Sequence, residues 1–415
     1  MKRRNPVRAA DLRGAARLAT DATAGLTDLV EAVHQRIARF AQLPGFGAPA
    51  AAGRTGGITG LVYKSIRGVA RGVGGSVDAL LALLTPALAP GVGDHDEALP
   101  SAEREAIVAA LNGVLGDHLA ATSNPLATAM ALRSEGRALV LENAALKLRL
   151  PGAGPRLVVL LHGLCMNDLQ WRRKGHDHGA ALARDCGYSA VYLHYNSGLH
   201  ISTNGAQLAG LLQRLLDAWP LPLERVVLLG HSMGGLLARS ALHQGAQASQ
   251  AWASRIDDLV CLGTPHHGAP LERAGHGVDL LLGAAPYAAP FARLGKLRSA
   301  GITDLRHGNL LEGDWAAADN GGRSSSGADR RQPAPLPANV RCHALAASLG
   351  ADAGALKGRI LGDGLVPLDS ALGRHKDPAR TLGFPAARQW TGHGMNHLDL
   401  LSRPEVFAQL RAWLQ

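Results

Sequence analysis

The chain contains little of what marks several common protein classes. Only 4 of its 415 residues are cysteine, and no two of them form a Cys-x-x-C pair. Neither a disulfide framework nor a cysteine metal cage is therefore expected. Charged residues make up 18% of the chain and hydrophobic residues 47%, a balance that excludes an intrinsically disordered protein. Aromatic residues account for only 4%, so the core is expected to be aliphatic.

Signals for export, membrane spanning and cofactor binding are also missing. The basic start at Lys2, Arg3 and Arg4 is not followed by the apolar stretch of a signal peptide, so a cytoplasmic location is expected. No run of 18 uncharged apolar residues predicts a membrane-spanning helix. The zinc-protease, phosphate-loop and dinucleotide-binding motifs are absent, and we expect neither a metal ion nor a cofactor.

The net charge of +10 raises the question of an anionic partner. Basic residues are scattered along the chain and are not interleaved with aromatic residues in the manner of proteins that bind single-stranded nucleic acid. No nucleic-acid partner is therefore expected.

Residues 1–125 differ in pattern from the rest and predict a helical N-terminal region. Apolar residues recur at spacings of three and four over 26–40, 58–77 and 102–119. These helices either pack on each other or on the main domain, or they form a basic amphipathic surface for a membrane or lipid surface.

The pattern changes near Met130, and residues 126–415 are predicted to form one catalytic domain. Met130–Arg133 and Ala138–Leu148 predict a hairpin, and short apolar runs then alternate with helical stretches. Such runs are typical of a mostly parallel sheet covered by helices on both faces, which is an α/β fold. Residues 319–338 are rich in Gly, Ser and Pro and predict a flexible loop.

Gly230-His-Ser-Met-Gly234 is the motif most informative about chemistry. An apolar run, Val226–Leu229, precedes it, and a helical pattern follows it. A strand, a sharp turn at serine and a helix form a nucleophile elbow, where glycines are needed for steric reasons. The sequence therefore predicts Ser232 as a nucleophile.

A serine nucleophile needs a base and a carboxylate that orients the base, and both are expected downstream of it. Asp363 lies between two glycines after a late apolar run, and Asp369 is the alternative acid. His397 and His393 both follow the last predicted strand, and His397 is the favoured base.

The oxyanion of the reaction needs two N–H donors. The amide of Met233, directly after the serine, is one candidate. The amide of Leu164 is the other, because His162-Gly163 ends an early strand and lets the backbone turn toward the serine. Cys165 beside it is expected to be a small packing residue.

Further residues are candidates for contact with substrate. His231 precedes the serine, and His266 lies in the turn Gly263-Thr-Pro-His-His-Gly268, where a structural bracing role is the alternative. Residues 269–315 interrupt the alternation of strands and helices and predict an inserted lid or cap, in which Leu281 and Phe291 are candidate apolar contacts.

Residues 156–414 resemble the serine esterases and lipases of the α/β-hydrolase superfamily, in particular bacterial GPI-inositol-deacylase-like and triacylglycerol lipases. The segments that carry the resemblance are His162-Gly-Leu, Gly230-His-Ser-Met-Gly-Gly, Leu262-Gly-Thr-Pro-His-His-Gly, Gly362-Asp-Gly-Leu-Val-Pro and Asn396-His-Leu-Asp-Leu-Leu. The resemblance implies an α/β-hydrolase fold and ester hydrolysis through an acyl-enzyme on Ser232, and it supports Asp363 and His397 as partners. It does not extend to residues 1–125.

The sequence thus predicts a carboxylic ester hydrolase whose partner is a small-molecule or lipid ester. Two alternatives stay open. The same triad permits acyl transfer to an alcohol or amine, and a protein of this fold can associate with lipid or polymer granules without catalysis.

Overall fold

The computed structural model of the chain describes residues 13–14, 16–17, 102–269, 299–319, 329, 331–351 and 362–415. The apolar helical patterns at 26–40 and 58–77 lie outside the described residues. The chain divides into two units, one of Met1–Ala98 with Ala121–Leu126 and one of Leu99–Ala120 with Ala127–Gln415. The helix predicted over 102–119 therefore belongs to the second unit, which also contains the sheet.

Little of the first unit is described. Its described N-terminal residues are helical, and the Arg17 guanidinium donates a hydrogen bond of 2.9 Å to the carbonyl of Ser123. Within the described residues of the chain, no helix is long and apolar enough to span a bilayer.

The second unit is organised around an eight-stranded sheet. The strands are β1 (Ala131–Ser134), β2 (Arg137–Ala138), β3 (Arg156–Leu161), β4 (Tyr188–His194), β5 (Arg225–His231), β6 (Asp258–Leu262), β7 (Arg341–Ser348) and β8 (Gln389–His393). Their order is β2-β1-β4-β3-β5-β6-β7-β8. Strands β3 to β8 are parallel, and β1 pairs antiparallel with both β2 and β4.

Helices cover the sheet. Those described are α1 (Ala102–Ala121), α2 (Asn143–Arg149), α3 (His178–Cys186), α4 (Ile201–Ala218), α5 (Met233–Gln247), α6 (Ala300–His307), α7 (Glu312–Asp319), α8 (Leu368–Ala371) and α9 (Pro404–Leu414). A parallel pair requires a crossover, and helices supply these crossovers on both faces.

Strand β3 shows why the interior strands are apolar along their whole length. Successive side chains of a strand point to opposite faces of the sheet. Leu157, Val159 and Leu161 join the apolar core on one face, whereas Val158 and Leu160 join a separate core on the other face. All five side chains are fully buried, which confirms the predicted sheet covered on both faces.

The predicted second arm of the hairpin is wrong beyond Ala138. Leu146, Leu148 and Leu150 alternate with polar residues and so mimic a strand, but Asn143–Arg149 form helix α2. Leu146 is fully buried, whereas Leu148 is 85% exposed. These two residues would share one face of a strand, but they lie on different sides of a helix. The segment consists largely of good helix formers, which favour this outcome.

The cysteines form no disulfide bond. All four are free and buried. Burial raises the pKa of the Cys165 thiol to about 12, so this thiol stays protonated and unreactive near neutral pH.

His178, at the start of α3, is a buried histidine that folding keeps neutral. Its Nε2 lies 2.9 Å from the carbonyl oxygen of Leu400, and its Nδ1 lies 2.9 Å from Nε2 of His176. Burial lowers the pKa of His178 from 6.5 to about 4. Between these two pH values the unfolded chain binds a proton that the folded chain does not, so stability falls as the pH is lowered.

We expect the free energy of unfolding to decrease between pH 7 and pH 5, with His178 contributing about 2 kcal/mol of the decrease. Urea unfolding of the wild type and of His178→Gln over this range measures the effect. The variant should show a shallower dependence of the free energy of unfolding on pH than the wild type. Equal slopes for His178→Gln and wild type would contradict the assignment.

Candidate active site

Ser232 occupies a strained turn between β5 and α5. Its φ is 55° and its ψ is −121°, a conformation that residues other than glycine rarely adopt. A Cβ on Gly230 would lie 2.5 Å from the amide nitrogen of Gly235, and a Cβ on Gly234 would overlap the carbonyl group of Leu161. Both glycines are therefore required by the turn, as the sequence predicts. Strain of this kind is concentrated at functional sites.

His397 and Asp363 form a buried hydrogen-bonded pair. His397 Nδ1 lies 2.7 Å from Asp363 Oδ2, and both side chains are fully buried. The other carboxylate oxygen, Oδ1, accepts hydrogen bonds from the amides of Leu365 and Val366, at 3.0 Å and 2.8 Å. The backbone N–H of His397 donates to the Asp363 carbonyl at 3.1 Å. Carboxylate, ring and backbone are thus fixed relative to one another.

This geometry determines the tautomer of His397. An ionised carboxylate only accepts hydrogen bonds, so Nδ1 is the donor and carries the proton of the neutral ring. Nε2 is then the basic nitrogen. It is buried and has no hydrogen-bond partner in the described part of the chain, so it is available to a reacting group.

The His397 ring lies against the end of β5, which leads into the elbow, and against the end of the neighbouring strand β6. The ring of His231, the residue before the serine, is 4.7 Å from the His397 ring, and His231 Nε2 lies 3.3 Å from the His397 carbonyl oxygen. A Cβ on Gly263, after β6, would lie 3.1 Å from His397 Nδ1. The Ser232 amide donates to the Leu262 carbonyl at 2.8 Å. The elbow after β5 and the turn after β6 therefore both lie close to the loop that carries His397. The side chain of His231 is fully buried.

The alternative residues occupy different environments. Asp369 lies on α8 with a side chain 45% exposed, 3.7 Å from the Arg374 guanidinium. His393 is the last residue of β8 and is partly exposed. Of the candidate acids and bases, the structure brings Asp363 and His397 into direct contact.

The loop after β3 passes directly over the serine. A Cβ on Gly163 would lie 3.1 Å from the Cβ of Ser232 and 3.3 Å from Nδ1 of His231. Leu164 follows Gly163 and is buried. Met233 is the first residue of α5, and the first N–H groups of a helix have no acceptor within the helix. Both predicted donor residues thus adjoin the contact between this loop and Ser232.

Two residues after β4 form hydrogen bonds with the loop after β3. These contacts were not predicted from the sequence. The Tyr195 hydroxyl donates to the His162 carbonyl at 2.9 Å, and the Cys165 amide donates to Ser197 Oγ at 3.1 Å. Cys165 has a φ of 59°, so the backbone is strained next to Leu164. The carboxyl ends of neighbouring parallel strands lie at one edge of the sheet, and polar residues just after β4 were the available signal.

Helix α1 also packs against this loop. A Cβ on Gly113 would overlap the Cys165 thiol, and Gly113 accepts a hydrogen bond of 2.6 Å from the Ser299 hydroxyl. Ser299 caps helix α6 within the predicted lid or cap insertion. The described end of that insertion therefore contacts α1, whereas Leu281 and Phe291 lie outside the described residues.

His266 lies in the turn that follows β6 and contacts helix α5. It is buried, its Nδ1 lies 3.2 Å from Nη1 of Arg239, and its ring lies 5.2 Å from that of Phe384. A role for His266 in substrate contact stays a prediction.

One group of side chains in the described residues has donor atoms close enough for a metal ion. Glu105, Asp168 and His194 are buried with donor atoms within 4.8 Å of one another. The Arg133 guanidinium already lies 2.9 Å from Glu105 and 3.2 Å from Asp168. Arg104 Nη1 lies 2.7 Å from Glu105 as well, so two guanidinium groups face the two carboxylates and the group is an ion-pair network.

Comparisons with known proteins give the following similarities. The family model of the PGAP1-like alpha/beta domain matches residues 153–329, which is less than half of the chain. A search of curated proteins found no match. Among solved structures, the mature lipase BlEst2 of Bacillus licheniformis is similar over 63% of this chain and 92% of its own, with 20% identity and a TM-score of 0.40.

Two further solved structures are similar over 63% of this chain. EstA of Clostridium botulinum is 14% identical, is covered over 88% of its length and gives a TM-score of 0.34. The epoxide hydrolase VrEH1 of Vigna radiata is 15% identical, is covered over 92% and gives the same TM-score of 0.34.

The mostly parallel sheet with helices on both faces and the serine elbow after β5 are those of an α/β-hydrolase fold.

Proposed function

We propose that this chain is a serine carboxylic ester hydrolase that acts through an acyl-enzyme intermediate. The observation that carries the proposal is the buried Asp363–His397 pair, whose free Nε2 belongs to a ring packed against the elbow of Ser232. A nucleophile, a base and a carboxylate that orients the base are the three groups that acyl transfer through serine needs.

In the first half of the reaction, Nε2 of His397 takes the proton of the Ser232 hydroxyl. The serine oxygen attacks the ester carbonyl, and the resulting oxyanion accepts hydrogen bonds from the amides of Leu164 and Met233. His397 then gives its proton to the departing alcohol. Asp363 stabilises the imidazolium form during these steps without taking a proton itself.

In the second half, water replaces the alcohol. His397 removes a proton from water, the hydroxide attacks the acyl-enzyme, and the oxyanion forms again at the same amides. Ser232 leaves with the proton from His397 and the acid is released. The apolar composition of the predicted insertion at 269–315 favours a hydrophobic acyl group or alcohol.

Stopped-flow hydrolysis of a p-nitrophenyl ester series, from acetate to dodecanoate, tests the proposal. We expect turnover of at least part of the series, with a burst of p-nitrophenolate no larger than one per enzyme wherever release of the acid is slow. Addition of a competing alcohol distinguishes hydrolysis from acyl transfer by the product formed. Absence of turnover across the series by the folded protein would contradict the proposal.

The positioning role of Ser197 gives a separate prediction. Ser197→Ala removes the acceptor for the Cys165 amide and loosens the loop that carries Leu164. Loss of one oxyanion donor costs about 10²- to 10³-fold in kcat, so weakened positioning of the loop should lower kcat roughly tenfold. KM should change little, because the oxyanion forms only during reaction.

Steady-state kinetics of Ser197→Ala beside Ser254→Ala measures this effect. Ser254 also makes a hydroxyl–backbone hydrogen bond but is exposed on the surface, so its variant should keep wild-type kcat. If KM rises in Ser197→Ala while kcat is unchanged, the residue does not position the oxyanion loop.

A further inference from the structure

A cavity of about 370 Å³ lies next to the turn that follows β6, at His266 and His267. Its described wall is formed by residues of this turn, of α5 and of segments 308–314, 331–336 and 377–383. The wall does not include Ser232, Asp363 or His397. Much of the wall is apolar and is contributed by Leu310, Ala334, Leu336 and Leu382. Its volume lies at the lower end of the range typical of small-molecule sites.

Arg239 of α5 places a positive charge at this cavity without a matching carboxylate. The side chain is buried, with 6% of the residue exposed. Its Nη1 donates to Nδ1 of His266 at 3.2 Å and its Nη2 donates to the carbonyl of Ala334 at 2.5 Å. Its Nε has no partner, and no carboxylate of the described residues pairs with it. Burial lowers the pKa of Arg239 only to about 10, so the group stays cationic at neutral pH.

His266 contributes a second buried donor that has no acceptor among the described residues. A guanidinium only donates, so Nδ1 of His266 is the acceptor and Nε2 carries the proton. Burial holds the pKa of His266 well below its usual value, so the ring is neutral. Nε2 is buried and has no acceptor among the described residues. Arg239 Nε and His266 Nε2 are thus two buried donor atoms without an acceptor among the described residues.

The other charged side chains at the cavity have partners of their own, which are opposite charges for Arg331 and Arg380 and backbone amides for Asp314. Arg331 and Arg380 both contact the Asp329 carboxylate, at 2.6 Å and 3.5 Å. The Asp314 carboxylate accepts hydrogen bonds from the backbone amides of three residues, Leu310, Leu311 and Gln332. Asp377 accepts from the Ala379 amide and lies 3.8 Å from Arg380. Among the described residues, Arg239 is thus the guanidinium at the cavity that contacts no carboxylate, and a buried charge of this kind is costly unless an anion pairs with it.

We propose that this cavity binds a carboxylate-bearing amphiphile of the medium-chain fatty-acid class. The carboxylate pairs with the Arg239 guanidinium, and the alkyl chain packs against Leu310, Leu336 and Leu382. A charge-assisted hydrogen bond in a buried site is stronger than one between neutral groups, so the guanidinium selects an acid over an alcohol. The site is separate from the triad and does not depend on the proposed function.

Calorimetric titration of the full chain with octanoate tests this site. The Ser232→Ala variant is used as the background, so that the acid cannot acylate the elbow serine. We expect one octanoate per chain, with octan-1-ol binding at least tenfold more weakly. Equal binding of acid and alcohol, or no binding of octanoate at millimolar concentration, would overturn the proposal.

Two variants locate the ligand within the molecule. Arg239→Met keeps much of the side-chain volume without the charge, and Leu336→Trp fills the cavity from a half-buried position on its wall. Each should weaken octanoate binding at least tenfold, whereas Arg374→Met, at an exposed position, should leave it unchanged. If Arg239→Met does not fold, Leu336→Trp alone decides. Wild-type affinity in the folded variants would place the ligand elsewhere and refute the site.

Discussion

Replacing Ser232 with alanine will lower kcat for p-nitrophenyl esters by roughly 10⁶-fold, the loss typical of removing a serine nucleophile. The variant keeps the backbone of the elbow but lacks the oxygen that forms the acyl-enzyme. Its far-UV circular dichroism and unfolding midpoint should stay close to those of the wild type, because the Ser232 side chain does not cap α5.

The double variant Ser232→Ala with His397→Ala provides the control for this result. Groups that act as one unit do not contribute additively, so the double variant should be about as slow as either single variant. Residual activity near the wild-type level in folded Ser232→Ala would mean that another group is the nucleophile.

Replacing Asp363 with asparagine will lower kcat by roughly 10⁴-fold while leaving the fold intact. In the wild type, the Asp363 carboxylate lies 2.7 Å from His397 Nδ1 and keeps the proton of the ring on this nitrogen. An asparagine amide can turn its NH₂ group toward this nitrogen, which then has to accept. The proton moves to Nε2, and His397 can no longer take the proton of the serine.

Asp369→Asn is the matched control for this prediction. Asp369 is the other acid that the sequence allows, but it is half-exposed and lies near Arg374. Its variant should keep kcat within about twofold of the wild type, as is usual for surface substitutions. A large loss in Asp369→Asn with little loss in Asp363→Asn would reverse the assignment of the acid.

The fold was accessible from the sequence where a pattern has a single physical meaning. The fully apolar runs of β3, β5 and β6 predict strands buried on both faces, and the glycines around Ser232 predict a turn too tight for side chains. The pattern at 143–149 has two meanings. Its apolar residues at alternate positions fit a strand, and its helix formers fit α2, which the structure contains.

The site was accessible only in part, because some of its contacts join distant segments. Asp363 and His397 were favoured over Asp369 and His393 from the sequence, but the distance of 2.7 Å between their side chains could not be read from it. The contact of Ser197 with the Cys165 amide joins loops after different strands. Arg239 looks like an ordinary helix residue in the sequence, and only its burial without a carboxylate partner sets it apart.

Mass spectrometry of the chain after reaction with a fluorophosphonate tests the central claim most directly. Such a reagent forms a stable phosphonyl ester with a serine that its site has activated. The account predicts one adduct per chain, located on the peptide that contains Ser232, with no adduct in Ser232→Ala. A folded wild-type protein that stays unlabelled in both the absence and the presence of detergent, or an adduct on another residue, would contradict it.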